Sequence, residues 1–227
     1  HLKDEDIYDD SYIFFYSDHG GPFPRHKRAI YETGTKVPFF VKLPKGNKEK
    51  VDKSQFLSFV DFAPTVLSIA GIDIPSFQQG KPFLGKSKDE SVREYLFTSS
   101  DRFDEHPDRI RAVRGEKYKY IRNYNPENSH ALNVAYRRQM VLMRHLNSLH
   151  LTGELSKKHD LWFRVPKLKE EFYDLENDPF ELNNLSDNTD FKEELNKLSN
   201  VLDDWLEEID DLGRIPEKKL FKMISGD

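Results

Sequence analysis

The stretch Tyr12-Ile13-Phe14-Phe15-Tyr16-Ser17-Asp18-His19-Gly20-Gly21 decides how this sequence is interpreted. Its aromatic and β-branched half predicts a buried strand, and its Ser-Asp-His-Gly-Gly half predicts a turn. Open α/β sheets bind ligands outside the carboxyl ends of their strands. A carboxylate oxygen and an imidazole nitrogen both suit divalent cations, so Asp18 and His19 are candidate metal ligands. The alternative is that Asp18 only caps the turn and His19 is an exposed side chain.

The composition allows one large domain or two small ones and narrows the class of partner. The 227 residues are 37% hydrophobic, with 17 Phe and 10 Tyr, which is enough for a core. A net charge of −5 argues against nucleic acid, since a nucleic-acid-binding domain is expected to be strongly basic. The sequence contains no run of about 18 apolar residues, so no membrane-spanning helix is predicted. The chain has no Cys, which excludes disulfides and is neutral on compartment.

Four segments follow one another in the order found in sulfatases of the alkaline phosphatase superfamily, which the chain resembles from about residue 12 to residue 186. They are Ser17–Leu43 with Lys27, Tyr31-Glu32-Thr33-Gly34 and Val37-Pro38; Phe59–Leu67 with Asp61-Phe62-Ala63-Pro64-Thr65; Arg111–Ile121; and Glu171–Leu185 with Tyr173-Asp174-Leu175 and Asp178-Pro179-Phe180-Glu181. No single segment is unique to sulfatases, but four in order are strongly specific.

The resemblance implies an α/β fold. Residues 1–95 are expected to form the C-terminal part of an alkaline phosphatase-like sheet domain, and residues 96–227 a small antiparallel-sheet plus helix subdomain. Local patterns predict helices over 54–70, 131–150 and 190–212, a hairpin of strands 109–113 and 118–122, and further strands at 95–97 and 170–175.

Two parts of a sulfatase site have no counterpart in this sequence. Sulfatases carry an early Cys- or Ser-x-Pro-x-Arg segment whose Cys or Ser becomes the formylglycine nucleophile, and this chain contains neither version. Their first metal-binding aspartates have no counterpart before Tyr12 either. We therefore expect the chain to be the C-terminal part of a longer enzyme, with the N-terminal part of that enzyme as its partner.

The resemblance assigns catalytic roles to the first turn and the basic run after it. Asp18 and His19 are the expected ligands of one divalent metal ion, with Ca²⁺ as the first expectation. Many sulfatases carry Asn at the position of His19 beside a calcium ion, whereas imidazole suits softer metals. The Asp-His pair also fits relatives that use zinc or manganese for phosphate transfer, and His19 could instead donate to the sulfate or the leaving oxygen. Lys27 has the spacing to Tyr31 expected of a sulfate-binding catalytic lysine. The alternative for Lys27 is an ordinary solvated basic run over Arg25–Arg28.

Four further residues have a less specific sequence signal, two as candidate substrate-binding residues and two as structural residues. Arg102 and His106 fall in a predicted loop, where they could contact a sugar carboxylate or hydroxyl in the substrate; the alternative is a solvated charged loop. Glu32 and Gly34 are interpreted as structural, with Gly34 supplying a backbone shape that only glycine adopts easily.

The implied function is hydrolysis of sulfate esters or sulfamates of sugars or glycosaminoglycans by a metal-dependent sulfatase that is periplasmic or secreted. One alternative is a phosphodiesterase or phosphomutase of the same superfamily. Another is a non-catalytic, sulfatase-like module that binds glycans. The Tyr31–Gly34 and Asp61–Thr65 segments favour a sulfatase over the phosphoryl-transfer enzymes.

Overall fold

The computed structural model describes residues 1–50 and 55–226, and the chain groups into two compact units. Unit 1 comprises His1–Ser17 and Pro38–Leu96, and unit 2 comprises Asp18–Val37 and Phe97–Asp227. The segment that carries the first three candidate site residues therefore belongs to unit 2. The domain division at residue 95 stays a prediction.

Unit 1 contains a two-stranded antiparallel sheet and one helix. Its elements are β1 (Ile13–Tyr16), β2 (Phe39–Lys42) and α2 (Phe62–Ala70), the last preceded by a 3₁₀ turn at Phe59–Asp61. The predicted helix started at Ser54, which lies outside the described residues, and residues 55–58 precede the first helical turn. Gly71 ends α2 with φ +69°, a left-handed conformation that favours glycine at a helix C-cap.

The prediction that β1 is a buried strand is wrong. Phe15 is 67% exposed, and its partner Phe40 on β2 is 65% exposed. Successive side chains of a strand point to opposite faces of the sheet. Phe14 packs against Phe62 and Phe83, with ring centroids 6.5 and 6.4 Å away, whereas Phe15 points to the other face.

Unit 2 is built on a four-stranded sheet with the order β3-β4-β5-β6. The strands are β3 (Leu96–Phe103), β4 (His106–Arg114), β5 (Tyr118–Asn123) and β6 (Glu170–Asp174). The predicted hairpin is confirmed, because β4 and β5 pair antiparallel with Ala112 opposite Ile121. The strand predicted at 170–175 is confirmed as β6, which pairs antiparallel with β5. The strand predicted at 95–97 is longer than expected and reaches Phe103.

The helices of unit 2 are α1 (Glu32–Thr35), α3 (Ala135–Gln139), α4 (Val141–Thr152), α5 (Lys157–Asp160), α6 (Lys192–Glu208) and α7 (Glu217–Ser225). The single helix predicted over 131–150 is two helices, because Met140 has an extended backbone with ψ 123°. The helix predicted over 190–212 is shorter and corresponds to α6. No helix among the described residues is both long and apolar enough to cross a membrane.

The core of unit 2 includes part of the segment between the two strands of unit 1. Ile30 and Tyr31 are buried in one cluster with Ile110 and Ile121 of the sheet and with Trp162. Burial of these side chains attaches the Asp18–Val37 segment firmly to the sheet.

Candidate active site

The segment from Asp18 to Gly34 folds back on itself through glycine backbones. The amide of Gly20 donates to the carbonyl oxygen of Gly34 at 3.0 Å, and the amide of Lys27 donates to that of Gly21 at 3.0 Å. A Cβ atom at Gly20 would lie 1.9 Å from the carbonyl oxygen of Thr33. The close approach therefore requires glycine at position 20 and brings the backbone of Lys27 next to the Asp18–Gly21 turn.

Gly34 is required for the same reason. A Cβ atom there would lie 2.1 Å from the carbonyl oxygen of Ala29 and 2.3 Å from that of His26. These contacts agree with the structural role expected of Gly34, although the cause is a close backbone approach and not an unusual dihedral angle.

Asp18 and His19 form a pair at the surface of unit 2. Nδ1 of His19 lies 2.7 Å from the carbonyl oxygen of Gly20, and because a carbonyl only accepts, Nδ1 carries the proton. Nε2 of a neutral His19 is then an acceptor, and it lies 3.4 Å from Oδ2 of Asp18. The side chains are 36% and 81% exposed, respectively. Two acceptor atoms at this separation repel each other unless a proton or a cation lies nearby.

The geometry of this pair fits two ligands of one metal ion. Two ligand atoms at right angles, each about 2.4 Å from the ion, are about 3.4 Å apart. Donation of the second ring nitrogen to a carbonyl is also common for metal-bound histidine. Within residues 1–50 and 55–226, however, no group of three or more His, Asp and Glu side chains could hold a metal. Asp18 and His19 stay predicted ligands, and they would supply only part of a coordination shell.

Arg25 is a structural member of the basic run. Its guanidinium lies 3.7 Å from the ring centroid of Tyr31 and donates to the carbonyl oxygen of Glu181 at 2.7 Å. Its backbone is left-handed, with φ +63°, which is uncommon for a residue with a side chain. These contacts hold the Arg25 side chain in place within unit 2.

Arg28 and Lys27 differ in how they are paired. Arg28 also has φ +63° and forms an ion pair with Asp104, at the turn between β3 and β4. Nζ of Lys27 lies 5.4 Å from the ring centroid of Tyr136, and no carboxylate of the described residues lies within 4.0 Å of it. Arg25 likewise has no carboxylate of the described residues within 4.0 Å, but its guanidinium is hydrogen-bonded to the carbonyl oxygen of Glu181, whereas the Lys27 side chain makes no hydrogen bond or ion pair with another described residue. The role of Lys27 in sulfate binding stays a prediction.

Glu171 on β6 is the centre of a buried hydrogen-bond network behind the site. Its Oε2 accepts from the phenols of Tyr31 at 2.8 Å and Tyr173 at 2.6 Å, and its Oε1 accepts from the amide of Asn123 at 2.7 Å. Nε2 of His130 lies 3.4 Å from Oε1. Burial opposes ionisation, but these donors and His130 outweigh it and lower the pKa of Glu171 to about 2. Burial, together with the Glu171 charge, raises the pKa of both phenols well above the usual value.

A second buried cluster holds Glu32. Nζ of Lys119 on β5 lies 3.2 Å from Oε1 of Glu32 and 3.2 Å from Oε1 of Glu181. The amide of Glu32 donates to Oε2 of Glu181 at 2.6 Å. Burial raises the pKa of Glu181, although Lys119 opposes the shift. The contacts agree with the structural interpretation of Glu32, since they attach the loop to the sheet.

Arg102 and His106 flank the turn that Arg28 contacts. Arg102 lies in β3 and not in the predicted loop, because the strand continues to Phe103. Its guanidinium donates to Oε1 of Glu217 at 2.6 Å and to the carbonyl oxygen of Glu105 at 3.1 Å. His106 starts β4 and is exposed. Their roles in substrate binding stay predictions.

Sequence reasoning missed Glu171, Lys119 and Glu181 as residues that position the site. Glu171 and Glu181 belong to the last of the four sulfatase-like segments, and Lys119 to the third. A signal was therefore present, since charged residues inside otherwise apolar strands are expected to pair when buried.

The fold and the sequence match define a sulfatase C-terminal domain. Residues 21–139 match the family described as N-sulphoglucosamine sulphohydrolase, C-terminal, and the chain belongs to this family.

Curated relatives agree with this assignment. An ulvan-active sulfatase of Formosa agariphila is 42% identical over 223 residues, which is 98% of this chain and 37% of that protein. The N-sulphoglucosamine sulphohydrolase of Homo sapiens is 25% identical over 217 residues, which is 90% of this chain and 43% of that protein. The chain therefore spans about two fifths of the length of these relatives.

Solved structures support the same fold. A protein in complex with its substrate D-glucosamine-2-N,6-O-disulfate superposes with a TM-score of 0.63 at 19% identity, over 95% of this chain and 38% of the other. A 2-O glycosaminoglycan sulfatase superposes with a TM-score of 0.63 at 21% identity, over 94% of this chain and 41% of the other. At these identities the likeness establishes the fold alone.

Proposed function

We propose that this chain supplies the C-terminal part of the active site of a metal-dependent sulfatase acting on sulfated sugars. The observation that carries the proposal is the pair of Asp18 Oδ2 and His19 Nε2, 3.4 Å apart on a loop closed by glycine backbones. The next basic turn of that loop carries Lys27, which has no carboxylate within 4.0 Å among the described residues.

The chemistry required at the site is cleavage of a sulfate monoester or sulfamate at sulfur. A divalent ion at Asp18 and His19, with Ca²⁺ as first candidate, would offset charge on the sulfate oxygens. Hydrogen bonding of His19 Nδ1 to Gly20 orients Nε2 towards the same point as the carboxylate. The Lys27 ammonium is a compact charge on a flexible stem that binds a non-bridging sulfate oxygen.

Precise placement of these groups depends on the buried networks. Tyr31, four residues after Lys27, is held by Glu171, and Glu32 is held by Lys119. A catalytic loop supported by locked side chains keeps its reacting groups within the narrow geometric range that catalysis needs.

The nucleophile is proposed to lie outside these 227 residues. The sequence has no Cys and no Ser-x-Pro-x-Arg, and the chain matches 37% of the ulvan-active sulfatase. We assign the formylglycine and the remaining metal ligands to an N-terminal part of the same enzyme.

The substrate class follows from the relatives. One relative is named an ulvan-active sulfatase and another an N-sulphoglucosamine sulphohydrolase. We therefore propose a sulfated polysaccharide or glycosaminoglycan as the substrate of the complete enzyme. Polymers of this kind are found outside cells, which supports a periplasmic or secreted location.

Sulfate release by the complete enzyme tests the proposal. Sulfated oligosaccharides prepared from ulvan and from heparin would be incubated with the purified enzyme, and free sulfate would be measured by ion chromatography. We expect release that requires both the N-terminal part and a divalent metal. Turnover by the 227-residue chain alone would contradict the split site, and faster hydrolysis of a phosphate diester would favour a phosphodiesterase.

A further inference from the structure

A basic cleft lies in unit 2 between the Ser129–Asn133 segment and helices α3 and α4. Its volume is about 610 Å³, within the range of about 300–1,000 Å³ that ligand sites occupy. Three arginines line it, namely Arg137, Arg138 and Arg144, together with the amides of Asn133 and Asn147. No Asp or Glu is among the described residues that line it, although acidic residues outnumber basic ones by 40 to 35 in the chain.

The two outer arginines are weakly neutralised. Arg144 is exposed on α4, and no carboxylate of residues 1–50 and 55–226 forms an ion pair with it. Arg138 donates to the carbonyl oxygen of Asn133 at 2.8 Å, and its ion-pair partner, Glu105, is 3.9 Å away. Their positive charges therefore face the cleft with little compensation from the protein.

Arg137 is the buried arginine of the cleft. Only 7% of the residue is exposed, and its guanidinium donates to the carbonyl oxygen of His130 at 2.6 Å. Burial, reinforced by the charge of Arg28, lowers the pKa of Arg137 to about 10, so the side chain remains charged at neutral pH. Asp108 and Asp104 attract this charge but do not outweigh burial, and neither lies within 4.0 Å of the guanidinium as an ion-pair partner. A buried charge with only distant counter-ions is costly, and an anionic ligand would reduce that cost.

Aromatic packing accounts for the position of Arg137 but not for its charge. The guanidinium lies 4.1 Å from the ring centroid of Phe103 and 5.1 Å from that of Trp162. Such contacts orient the planar group and contribute a modest attraction. They do not replace a carboxylate or sulfate in direct contact with the guanidinium.

The cleft adjoins a pocket lined by Lys27. A smaller pocket that contains Lys27 shares Arg137 and Met143 with the cleft. The wall of the cleft also contains Phe163, whose ring stacks on that of His150 at 4.6 Å. A cationic rim with an apolar wall suits a sugar ring that carries an acidic substituent.

We propose that this cleft binds a second acidic group, sulfate or carboxylate, on a sugar residue next to the one whose sulfate meets Lys27. Arg138 and Arg144 would hold the acidic group from the rim, and Arg137 from the floor. The inference rests on the proposed function for the class of ligand, a sulfated oligosaccharide. It extends that function because it assigns preference for a polymer over a monosaccharide to α3 and α4.

The test measures binding and turnover separately in the complete protein. The probe is a heparin-derived hexasaccharide, with its desulfated form, which keeps the carboxylates, as the second probe. Binding would be measured by calorimetry for the wild type, Arg144→Gln, and Arg138→Gln combined with Arg144→Gln. Lys197→Gln is the matched control, because Lys197 is an exposed cation on α6.

We expect the double substitution to weaken hexasaccharide binding about tenfold or more, because charge-assisted hydrogen bonds are lost. Lys197→Gln should leave binding unchanged. Loss confined to the sulfated probe identifies sulfate as the bound group, and loss with both probes identifies carboxylate. Equal weakening by Lys197→Gln, or tighter binding of a DNA oligonucleotide of equal charge, would overturn the proposal.

Turnover separates this inference from the proposed function. A sulfated monosaccharide should be hydrolysed equally by the wild type and the double variant, whereas KM for the hexasaccharide should rise in the variant. Binding that depends on Arg138 and Arg144, without any sulfate release, would support the proposed binding cleft and contradict the proposed sulfatase activity. Sulfate release together with hexasaccharide binding that is unchanged by Arg138→Gln and Arg144→Gln would support the sulfatase and contradict the cleft.

Discussion

The phenol of Tyr31 donates a hydrogen bond of 2.8 Å to Oε2 of Glu171, 140 positions later in the chain. Tyr31 belongs to the loop that carries the candidate catalytic residues, and Glu171 belongs to β6 at the end of the sheet. Both residues lie in segments that resemble sulfatases. In this chain a buried contact between two sulfatase-like segments therefore holds the site loop on the C-terminal sheet.

Replacement of Glu171 by Gln should change how stability depends on pH. The pKa of Glu171 is about 2 in the folded protein, against about 4.3 in an unfolded chain. The stability it contributes, of the order of 3 kcal/mol, is fully present above the unfolded pKa and is lost as pH falls towards 2. The wild type should lose stability more steeply than Glu171→Gln between about pH 5 and pH 2.

Urea-unfolding midpoints measured across this pH range would check the expectation. Glu193→Gln on the exposed surface of α6 is the control and should follow the wild type. Parallel pH profiles for the wild type and Glu171→Gln would show that the network does not hold Glu171 ionised.

Lys27→Ala should lower turnover of the complete enzyme without a loss of stability. Removal of a donor aimed at developing charge costs about 10²–10³ in turnover. The control is Lys36→Ala, because Lys36 is an exposed lysine at the end of the same loop. Initial rates and melting temperatures would be measured for both variants. Similar small effects of the two substitutions on turnover would show that Lys27 is an ordinary solvated residue of the basic run.

Asp18→Asn should reduce bound metal and activity together. The substitution keeps the size of the side chain and removes the charge that attracts a divalent ion. Metal content would be measured by inductively coupled plasma mass spectrometry on the complete enzyme. Asp187→Asn, at an exposed position, is the control. Full metal content in Asp18→Asn, with unchanged turnover, would leave Asp18 as a turn residue.

Gly20→Ala should disturb the loop, whereas Gly21→Ala should be tolerated. A Cβ atom at Gly20 meets the carbonyl oxygen of Thr33 at 1.9 Å, and one at Gly21 has the Phe23 side chain nearest, at 3.2 Å. Forcing an extra carbon against backbone typically costs about 1–3 kcal/mol. Thermal unfolding of both variants would measure the difference. Equal melting temperatures would mean that the loop does not need this close approach.

Local patterns in the sequence were sufficient for several elements. Alternating apolar residues around Gly115 predicted the β4–β5 hairpin, because strand periodicity and turn residues act over a few positions. The turn that follows the aromatic strand was predicted from the same kind of local signal, whereas the role of Asp18 and His19 as metal ligands stays a prediction. The order of four segments indicated the family before any contact was known.

Other predictions failed because distant residues decide the outcome. The apolar pattern from residue 131 to residue 150 predicted one helix, but the extended backbone at Met140 divides it. Phe15 was expected to be buried because it is aromatic, yet it lies on the face of β1 opposite to Phe62 and Phe83.

The sequence by itself determined the sulfatase family, the turn with Asp18 and His19, and the basic run around Lys27. Only the tertiary structure separated Lys27 from Arg25 and Arg28, because the carbonyl oxygen of Glu181 that binds Arg25 and the carboxylate of Asp104 that pairs with Arg28 lie far away along the chain. It also brought Arg137, Arg138 and Arg144 around one cleft. The physical reason is that charge pairing and burial depend on which chain segments are in contact in the folded protein, and local sequence spacing does not specify these tertiary contacts.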